Sequence, residues 1–205
     1  MKVLHGPVAT VTDVLQALPT RRGHFLLESG YHADLWIDLD ALFVEPRRIE
    51  PLVAELAVRL APYGPSAVCG PLTGGAMLAL AVATALAVKF YFAEPVPQRS
   101  VHDLFGAIYR IPAAQRELVR GESVAIVDDV ISAGSSVRAT AAALSAAGAS
   151  PVAVGTLLAL GTNSLEFFAG CGLPFEALGR RDFSMWEPPA CPHCRVGAVL
   201  EDPRG

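Results

Sequence analysis

Two adjacent carboxylates followed by a run of small residues are the most chemically informative feature of the chain. Asp128 and Asp129 come directly after an apolar strand that begins at Val124. The carboxyl end of such a strand is where ligands bind in open α/β sheets. Five small residues then open a predicted helix, in the order Ser132, Ala133, Gly134, Ser135 and Ser136. Backbone N–H groups at a helix start can surround a phosphate, and carboxylates suit sugar hydroxyls or a hydrated Mg²⁺. The pattern predicts a site for a phosphorylated sugar; the alternative is an ordinary strand-to-helix turn with a serine cap.

A second turn of the same kind lies earlier in the chain. The segment 70–75 reads Gly-Pro-Leu-Thr-Gly-Gly and separates a predicted strand from a predicted helix. Its backbone offers further donors to an anion, and the candidates are Thr73, Gly74 and Gly75. A glycine-rich turn is weak evidence by itself. Its position about one βαβ unit before the Asp pair strengthens the prediction.

These turns need a sheet that brings them to one edge, and the hydrophobic pattern predicts one. Strands are expected at 67–69, 88–92, 124–127, 152–158 and 175–178, helices at 8–18, 46–60, 76–87 and 136–147, and two further strands around a turn within 23–40. Strands that alternate with helices indicate a central parallel sheet flanked by helices, an α/β fold. Residues 94–121 interrupt this rhythm, and residues 181–205 are rich in proline and predict an extended tail.

Composition limits the class of protein. The chain has 205 residues and a formal net charge of -4, with 52% hydrophobic and 18% charged residues, which excludes a disordered chain and fits one domain. The most apolar stretch, 76–92, is shorter than the roughly 20 residues that a membrane span requires. We therefore expect a soluble cytoplasmic protein without a membrane partner. The acidic balance argues against nucleic acid as a partner. Lys2 and Lys89 are the only lysines.

The segment from Val124 to Arg138 resembles the signature of type I phosphoribosyltransferases, which bind phosphoribosyl pyrophosphate (PRPP). The resemblance implies the fold of that family, with a small hood built from about residues 1–45 and the C-terminal region, in a single domain. It also implies that Asp128 and Asp129 hold the ribose hydroxyls. Residues 132–136 would hold the 5-phosphate, and residues 73–75 the pyrophosphate.

The N-terminal part narrows the resemblance. The segments 23–30 and 33–38 are similar to the corresponding part of orotate phosphoribosyltransferases, as are 92–94 and the Cys-Pro-His-Cys tail. The resemblance implies that Trp36 flanks the base, together with Ser132, and stacking on a flat ring suits an indole. The alternative for Trp36 is a plain core residue.

The resemblance implies a reaction and its participants. A nucleobase nitrogen displaces pyrophosphate from C1 of PRPP, and Mg²⁺ bridges pyrophosphate and ribose oxygens. The expected partners are these small molecules and a second copy of the chain, with the loop 95–109 reaching across a homodimer. Arg99 and His102 are the basic candidates for catalysis on that loop.

The sequence departs from the orotate pattern where that family carries cations. Glu28 and Gly74 stand where lysines are usual, and Gly161-Thr162 stands where an Asp-Arg pair reads the orotate carboxylate. Lys89 is expected to lie in a buried strand, and Arg180 and Arg181 are expected to be solvated charges. None of the three is therefore expected to replace the missing lysines and arginine. The prediction is a PRPP-binding protein that uses a base other than orotate or turns over slowly. The alternatives are a purine-type phosphoribosyltransferase and a non-catalytic PRPP or nucleotide sensor.

Cysteine spacing assigns no metal site. Cys191 and Cys194 form one CxxC pair, which supplies two of the four ligands that zinc normally takes. Cys171 or His193 can complete a set, but nothing in their spacing requires it. We therefore expect reduced structural thiols.

Overall fold

A six-stranded sheet forms the centre of the computed structural model, which describes residues 20–27, 30–37, 40–97 and 108–203. Its strands are β3 (Ala67–Pro71), β4 (Lys89–Pro95), β5 (Tyr109–Arg110), β6 (Ser123–Ile131), β7 (Ser150–Leu160) and β8 (Phe175–Arg181). Their order is β5-β4-β3-β6-β7-β8, and all neighbours are parallel except β5, which runs antiparallel to β4. The predicted α/β fold with a parallel sheet is confirmed. The predicted helix 8–18 lies outside the described residues.

Seven helices are described, and the longer ones pack on both faces of this sheet. They are α1 (Asp40–Val44), α2 (Pro46–Leu60), α3 (Gly74–Leu86), α4 (Ala113–Arg116), α5 (Ser135–Ala146), α6 (Asn163–Gly170) and α7 (Pro192–Arg195). The helices predicted at 46–60, 76–87 and 136–147 are confirmed within two residues at each end. No helix was predicted at α6, whose eight residues are too few for a clear helical period. None of the helices in the described ranges has the length and apolar character needed to cross a bilayer.

Two apolar clusters hold the layers together. On one face, α2 and α3 pack against alternate residues of the strands, among them Val68, Ala125 and Val127. On the other face, α5 and α6 pack against the remaining residues, among them Cys69 and Ile126. Because the strands are buried on both sides, their sequences are continuously apolar, as is typical of parallel sheets.

A second, three-stranded antiparallel sheet forms the hood. It consists of β1 (Thr20–Leu26), β2 (His32–Ile37) and β9 (Met185–Trp186), in the order β1-β2-β9. The two strands predicted within 23–40 are thus confirmed. Leu35 and Ile37 of β2 join the core cluster of α2, which attaches the hood to the main domain.

The C-terminal segment 182–203 is not the extended tail that its prolines predicted. It contains β9, a 3₁₀ turn at Pro188–Ala190 and α7, and then returns to β1. The backbone of Glu201 exchanges two hydrogen bonds with β1, accepting from Leu26 N at 2.8 Å and donating to His24 O at 2.8 Å. The prediction failed because these contacts join residues more than 170 positions apart, which local sequence patterns do not report.

Burial predicts a large difference in reactivity between two cysteines. Cys69 is 0% exposed in β3, and burial raises the pKa of its thiol to about 12, whereas Cys171 is exposed at the end of α6. We expect maleimide to label Cys69 at least about a hundredfold more slowly than Cys171, because labelling requires the core to open. Peptide mass spectrometry of timed samples measures both rates, and Cys171→Ser is the control that removes the fast reaction. Similar rates at the two thiols in the folded protein would contradict this packing.

Candidate active site

The Asp pair lies within a strand at the carboxyl edge of the central sheet. Strand β6 continues to Ile131, so the prediction that Asp128 and Asp129 belong to a turn is wrong. The strand is longer than its apolar run because β7 pairs with it past the carboxylates, with Asp128 opposite Thr156 and Val130 opposite Leu158. The two carboxylates are therefore held on a rigid element rather than on a loop.

The glycine-rich turn meets these carboxylates directly. Strand β3 ends at Pro71, the Leu72–Thr73 peptide bond is cis, and α3 begins at Gly74. A Cβ at Gly74 would overlap the Asp129 carboxylate, and a Cβ at Gly75 would lie 2.6 Å from Asp128 Oδ1. Only glycine lets the backbone approach this closely. The structure thus brings together the two segments that the sequence singled out.

Asp128 carries the most perturbed electrostatics of the site. It is 7% exposed, accepts a hydrogen bond from the Ser136 hydroxyl at Oδ2 (2.9 Å) and lies 3.1 Å from the Asp129 N–H at Oδ1. Burial, followed by the neighbouring charge of Asp129, raises the pKa of Asp128 well above its usual range. The hydrogen bond from Ser136 acts in the opposite direction. The pair therefore retains a proton more readily than two exposed carboxylates would.

The turn after β6 has the geometry of an anion site. Gly134 adopts the left-handed conformation (φ 79°) immediately before α5, and a Cβ there would lie 3.3 Å from the Ser164 side chain. Ser132, Ser135 and Ser136 are half-buried. The N-terminus of this 12-residue helix presents backbone N–H groups, and its dipole favours negative charge. The Ser136 hydroxyl links the turn to Asp128.

Trp36 lies in the hood, outside the buried core. It alternates along β2 with Leu35 and Ile37, which pack into the core, so its side chain lies on the other face of the strand. It is half-buried, and its ring centroid lies 6.4 Å from that of Phe25. Its role beside the base stays a prediction. The predicted loop residues Arg99 and His102, and also Glu28, lie outside the described residues.

Two of the three basic side chains that the sequence analysis discussed within the described residues, Lys89 and Arg181, differ from expectation in their burial. Lys89 is not buried: it is the first residue of β4, its side chain is 62% exposed, and it pairs with Glu122 at the amino edge of the sheet, away from the Asp pair. Arg180 is exposed as expected, whereas Arg181 is half-buried and donates to the Thr20 hydroxyl (2.9 Å). The Gly161 N–H donates to the Arg181 carbonyl, so this arginine lies beside the 161–162 turn.

One cluster was missed by the sequence analysis. His24 and His32 of the hood lie beside Cys191 and Cys194 of the C-terminal segment. The two histidines lie on adjacent paired strands, but the sequence contains no signal that brings the CxxC pair to them.

Comparisons with known proteins agree with this geometry. Residues 45–166 match the family model described as "Phosphoribosyl transferase domain". An orotate phosphoribosyltransferase from Thermotoga maritima is 33% identical over 181 residues, which are 88% of this chain and 89% of that protein. Among solved structures, the orotate phosphoribosyltransferase from Aeropyrum pernix aligns with a TM-score of 0.59 at 24% identity, covering 78% of this chain and 87% of that one. The adenine phosphoribosyltransferase from Thermoanaerobacter pseudethanolicus aligns with a TM-score of 0.65 at 16% identity, covering 84% and 100%.

The family match and the fold are those of a phosphoribosyltransferase, a class of pentosyl-transferring enzymes. Within that class, the identity and coverage show that this chain belongs to the orotate phosphoribosyltransferase family. The two structural neighbours establish the fold alone, since both are less than 25% identical.

Substitution of one glycine tests the contact between the two segments. Gly74→Ala places a methyl group where the Asp129 carboxylate lies, so the carboxylate must move. We expect PRPP affinity, measured by isothermal titration with Mg²⁺, to fall at least about tenfold, as for a misplaced polar contact. Gly170→Ala is the matched control, because a Cβ there meets nothing within 4 Å. Equal affinity in both variants would contradict the proposed geometry.

The raised pKa of Asp128 predicts a stability that falls with rising pH. At a pH between the usual pKa of an aspartate and the raised pKa of Asp128 in the folded protein, the unfolded chain has lost this proton and the folded chain has kept it. The free energy of unfolding therefore falls as the pH rises through that range. We therefore expect Asp128→Asn to melt above the wild type at pH 7.5, by on the order of 2–4 °C, the shift that about 1 kcal/mol gives at this length. Below about pH 4 the melting temperatures of the wild type and of Asp128→Asn should converge.

Differential scanning calorimetry in EDTA measures this difference across pH. Asp182→Asn, a change at an exposed carboxylate, is the control and should follow the wild type at every pH. An Asp128→Asn protein that is less stable than the wild type at pH 7.5 would contradict the electrostatic account.

Proposed function

We propose that this protein transfers the 5-phosphoribosyl group of PRPP to a nucleobase nitrogen and releases pyrophosphate. In the reaction the bond from C1 to the pyrophosphate oxygen breaks, a bond from C1 to the base nitrogen forms, and that nitrogen loses its proton. The observation that carries the proposal is the contact between the Gly74-Gly75 backbone and the Asp128–Asp129 carboxylates. This contact supports an arrangement in which the two candidate anion-binding turns flank the carboxylates that would hold the sugar.

Each part of PRPP has a candidate subsite. Asp128 and Asp129 receive the ribose hydroxyls, whose hydrogen bonds and whose accompanying Mg²⁺ would favour the charged form of the pair. The 5-phosphate lies at residues 132–136, and the pyrophosphate lies at 73–75. The base lies against Trp36 and Ser132. Arg99 and His102 act from the loop over the leaving group.

The chain stabilises the transition state mainly by charge and position. As pyrophosphate leaves, positive charge develops at C1 and the ring oxygen of the ribose. The carboxylates of Asp128 and Asp129 are fixed by β6 and need no reorganisation when that charge appears. Holding both anionic ends of PRPP in separate turns keeps C1 in line with the base.

Mg²⁺ is the expected cofactor of this reaction. The two carboxylates beside the anion subsites would hold Mg²⁺, whose remaining oxygen ligands are usually waters and substrate phosphates. Bound there, it would neutralise charge on the pyrophosphate. Binding and orientation of the sugar remain the work of the chain's own residues.

The charges available near the base limit which nucleobase the protein can bind. A buried carboxylate such as that of orotate requires a cationic partner. The arginine that reads this carboxylate in the orotate pattern is replaced by Thr162, and Lys89 lies at the opposite edge of the sheet. We therefore propose a base other than orotate, or slow turnover with orotate. Arg181, beside the 161–162 turn, is the described residue best placed to recover part of the lost charge.

Two rival functions remain to be separated by experiment. A non-catalytic PRPP sensor needs the same two turns and would lack only the cations of catalysis. A purine-type phosphoribosyltransferase shares the fold, as the similarity to an adenine enzyme illustrates. A homodimer, carried over from the family resemblance, is a further part of our proposal, as are the single domain and the cytoplasmic location expected from length and composition.

A panel of bases tests the proposal. Full-length protein is incubated with PRPP, Mg²⁺ and one of orotate, uracil, adenine, hypoxanthine or guanine, and pyrophosphate and nucleotide are quantified. We expect a nucleotide product with at least one base, a lower kcat/KM for orotate than for the best base, and a loss of at least about a hundredfold in the Asp128→Asn/Asp129→Asn variant. Gly170→Ala should retain full activity.

The outcomes separate the alternatives. Tight PRPP binding with no product from any base would contradict the enzyme and favour the sensor. Efficient turnover of orotate would overturn the proposal about the base and leave phosphoribosyl transfer in place. Unchanged PRPP affinity in the double variant would show that the sugar site is assigned wrongly.

A further inference from the structure

Four metal-ligating side chains converge where the hood meets the C-terminal segment. They are His24 of β1, His32 of β2, Cys191 just before α7 and Cys194 within α7, and their ligand atoms all lie within 4.8 Å of one another. His24 Nε2 lies 2.9 Å from His32 Nδ1 and 3.4 Å from Cys191 Sγ. Cys194 Sγ lies 3.6 Å from His24 Nε2 and 3.2 Å from His32 Nδ1.

Four of the six spacings are close to the edges of a tetrahedron around zinc. With Zn–N of about 2.0–2.1 Å and Zn–S of about 2.3 Å, a tetrahedral zinc ion holds its ligand atoms about 3.3–3.8 Å apart. These four separations, 2.9–3.6 Å, differ from that range by a few tenths of an ångström. The remaining two are bounded by 4.8 Å, so binding of the ion requires only small movements of the side chains. Two thiolates and two imidazoles in this arrangement are a donor set typical of structural zinc.

The hydrogen bonding around the cluster also suits a metal. His24 Nδ1 lies 3.1 Å from the Ala198 carbonyl, and donation to that oxygen leaves Nε2 with its lone pair directed at the cluster. Gly197 places the carbonyl there, because its positive φ of 68° turns the chain back after α7, with Ala198 N bonded to His193 O. Such an outer hydrogen bond is the usual way to orient a metal-bound histidine.

Burial distinguishes this cluster from a chance grouping on the surface. His24, His32 and Cys191 are 4%, 5% and 0% exposed, while Cys194 reaches solvent. A groove lined in part by His24, His193 and Ala198 gives an ion a path to the cluster. His193, which the spacing offered as a ligand, instead stacks on His24 with ring centroids 5.3 Å apart. Cys171 is exposed at the end of α6, on another element.

Apart from the cluster, polar contacts rather than a core hold the described part of the C-terminal segment, among them an Arg21–Glu201 ion pair and a hydrogen bond from the Tyr31 hydroxyl to Glu187 (3.0 Å). Cys191 is its one fully buried apolar residue among those described after β9, and Val196 and Val199 are 79% and 82% exposed. Two backbone hydrogen bonds of Glu201 and the short β2–β9 pairing complete its main-chain attachment to the hood. A segment with so small a core is commonly stabilised by a metal or a disulfide.

We propose that His24, His32, Cys191 and Cys194 form a structural zinc site that fastens the C-terminal segment to the hood. The site uses one residue from each of two hood strands and two from the C-terminal segment, so the ion joins parts of the chain more than 150 residues apart. It shares no residue with the proposed PRPP subsites, and it does not depend on the proposed reaction.

Metal content of the full-length protein tests the site. Untagged protein is equilibrated with Zn²⁺, desalted and analysed by mass spectrometry for metal. We expect about one zinc per chain, as for a site with four ligands. Cys194→Ser and His32→Asn should lower zinc affinity at least about tenfold, because even outer partners of a ligand change it by about 10–100-fold. Cys171→Ser and His193→Asn are matched controls and should keep the ion.

The wild type provides a readout that does not depend on variants folding. Replacement of zinc by Co²⁺ should give the intense visible absorption of tetrahedral cobalt bound to thiolates. A chelator should lower the melting temperature and make the chain after β8 sensitive to protease. Zinc below about 0.1 per chain after equilibration, or full zinc retention in both Cys194→Ser and His32→Asn, would overturn the proposal.

Discussion

The close approach of the Gly74-Gly75 backbone to the carboxylates of Asp128 and Asp129 is the contact on which the candidate active site depends. No side chain fits between the two segments, since a Cβ at either glycine would collide with a carboxylate. The approach is possible because β3 and β6 are parallel neighbours, with Cys69 opposite Ile126, so that their carboxyl ends reach the same edge. The helices that follow these strands then present their N-termini on either side of the Asp pair. Topology thus brings the two candidate anion-binding turns and the Asp pair together at one edge of the sheet.

The burial of Asp128 at this contact opposes folding. Burial of Asp128 beside Asp129 raises its pKa, which means that its charged form is disfavoured in the folded state. The Ser136 hydroxyl and the backbone offset part of this, and the apolar clusters on both faces of the sheet hold the strands in place. A local arrangement that weakens the fold is common at functional sites, where the bound ligand supplies the missing partners. Here those partners would be the hydroxyls and Mg²⁺ that accompany PRPP.

Much of this arrangement could be predicted from the sequence, because the two turns follow strands whose apolar runs are clear. The run Val124–Val127 and the helical period of 46–60 are local signals, and both are confirmed. The extension of β6 through Asp128 and Asp129 could not be predicted, because it depends on pairing with β7. The fold of the C-terminal segment and the meeting of His24 and His32 with the CxxC pair depend on contacts more than 150 residues apart. The proline-rich composition of that segment even favoured the opposite conclusion.

The central claim is that the Asp pair and the two flanking turns form the PRPP site, and a crystal structure of the protein soaked with PRPP and Mg²⁺ tests it most directly. The account predicts the ribose hydroxyls on Asp128 and Asp129, the 5-phosphate at residues 132–136 and the pyrophosphate at residues 73–75. It also predicts that Gly74 and Gly75 stay against the carboxylates in the complex. PRPP bound elsewhere, or bound with its ribose away from Asp128 and Asp129, would contradict the account.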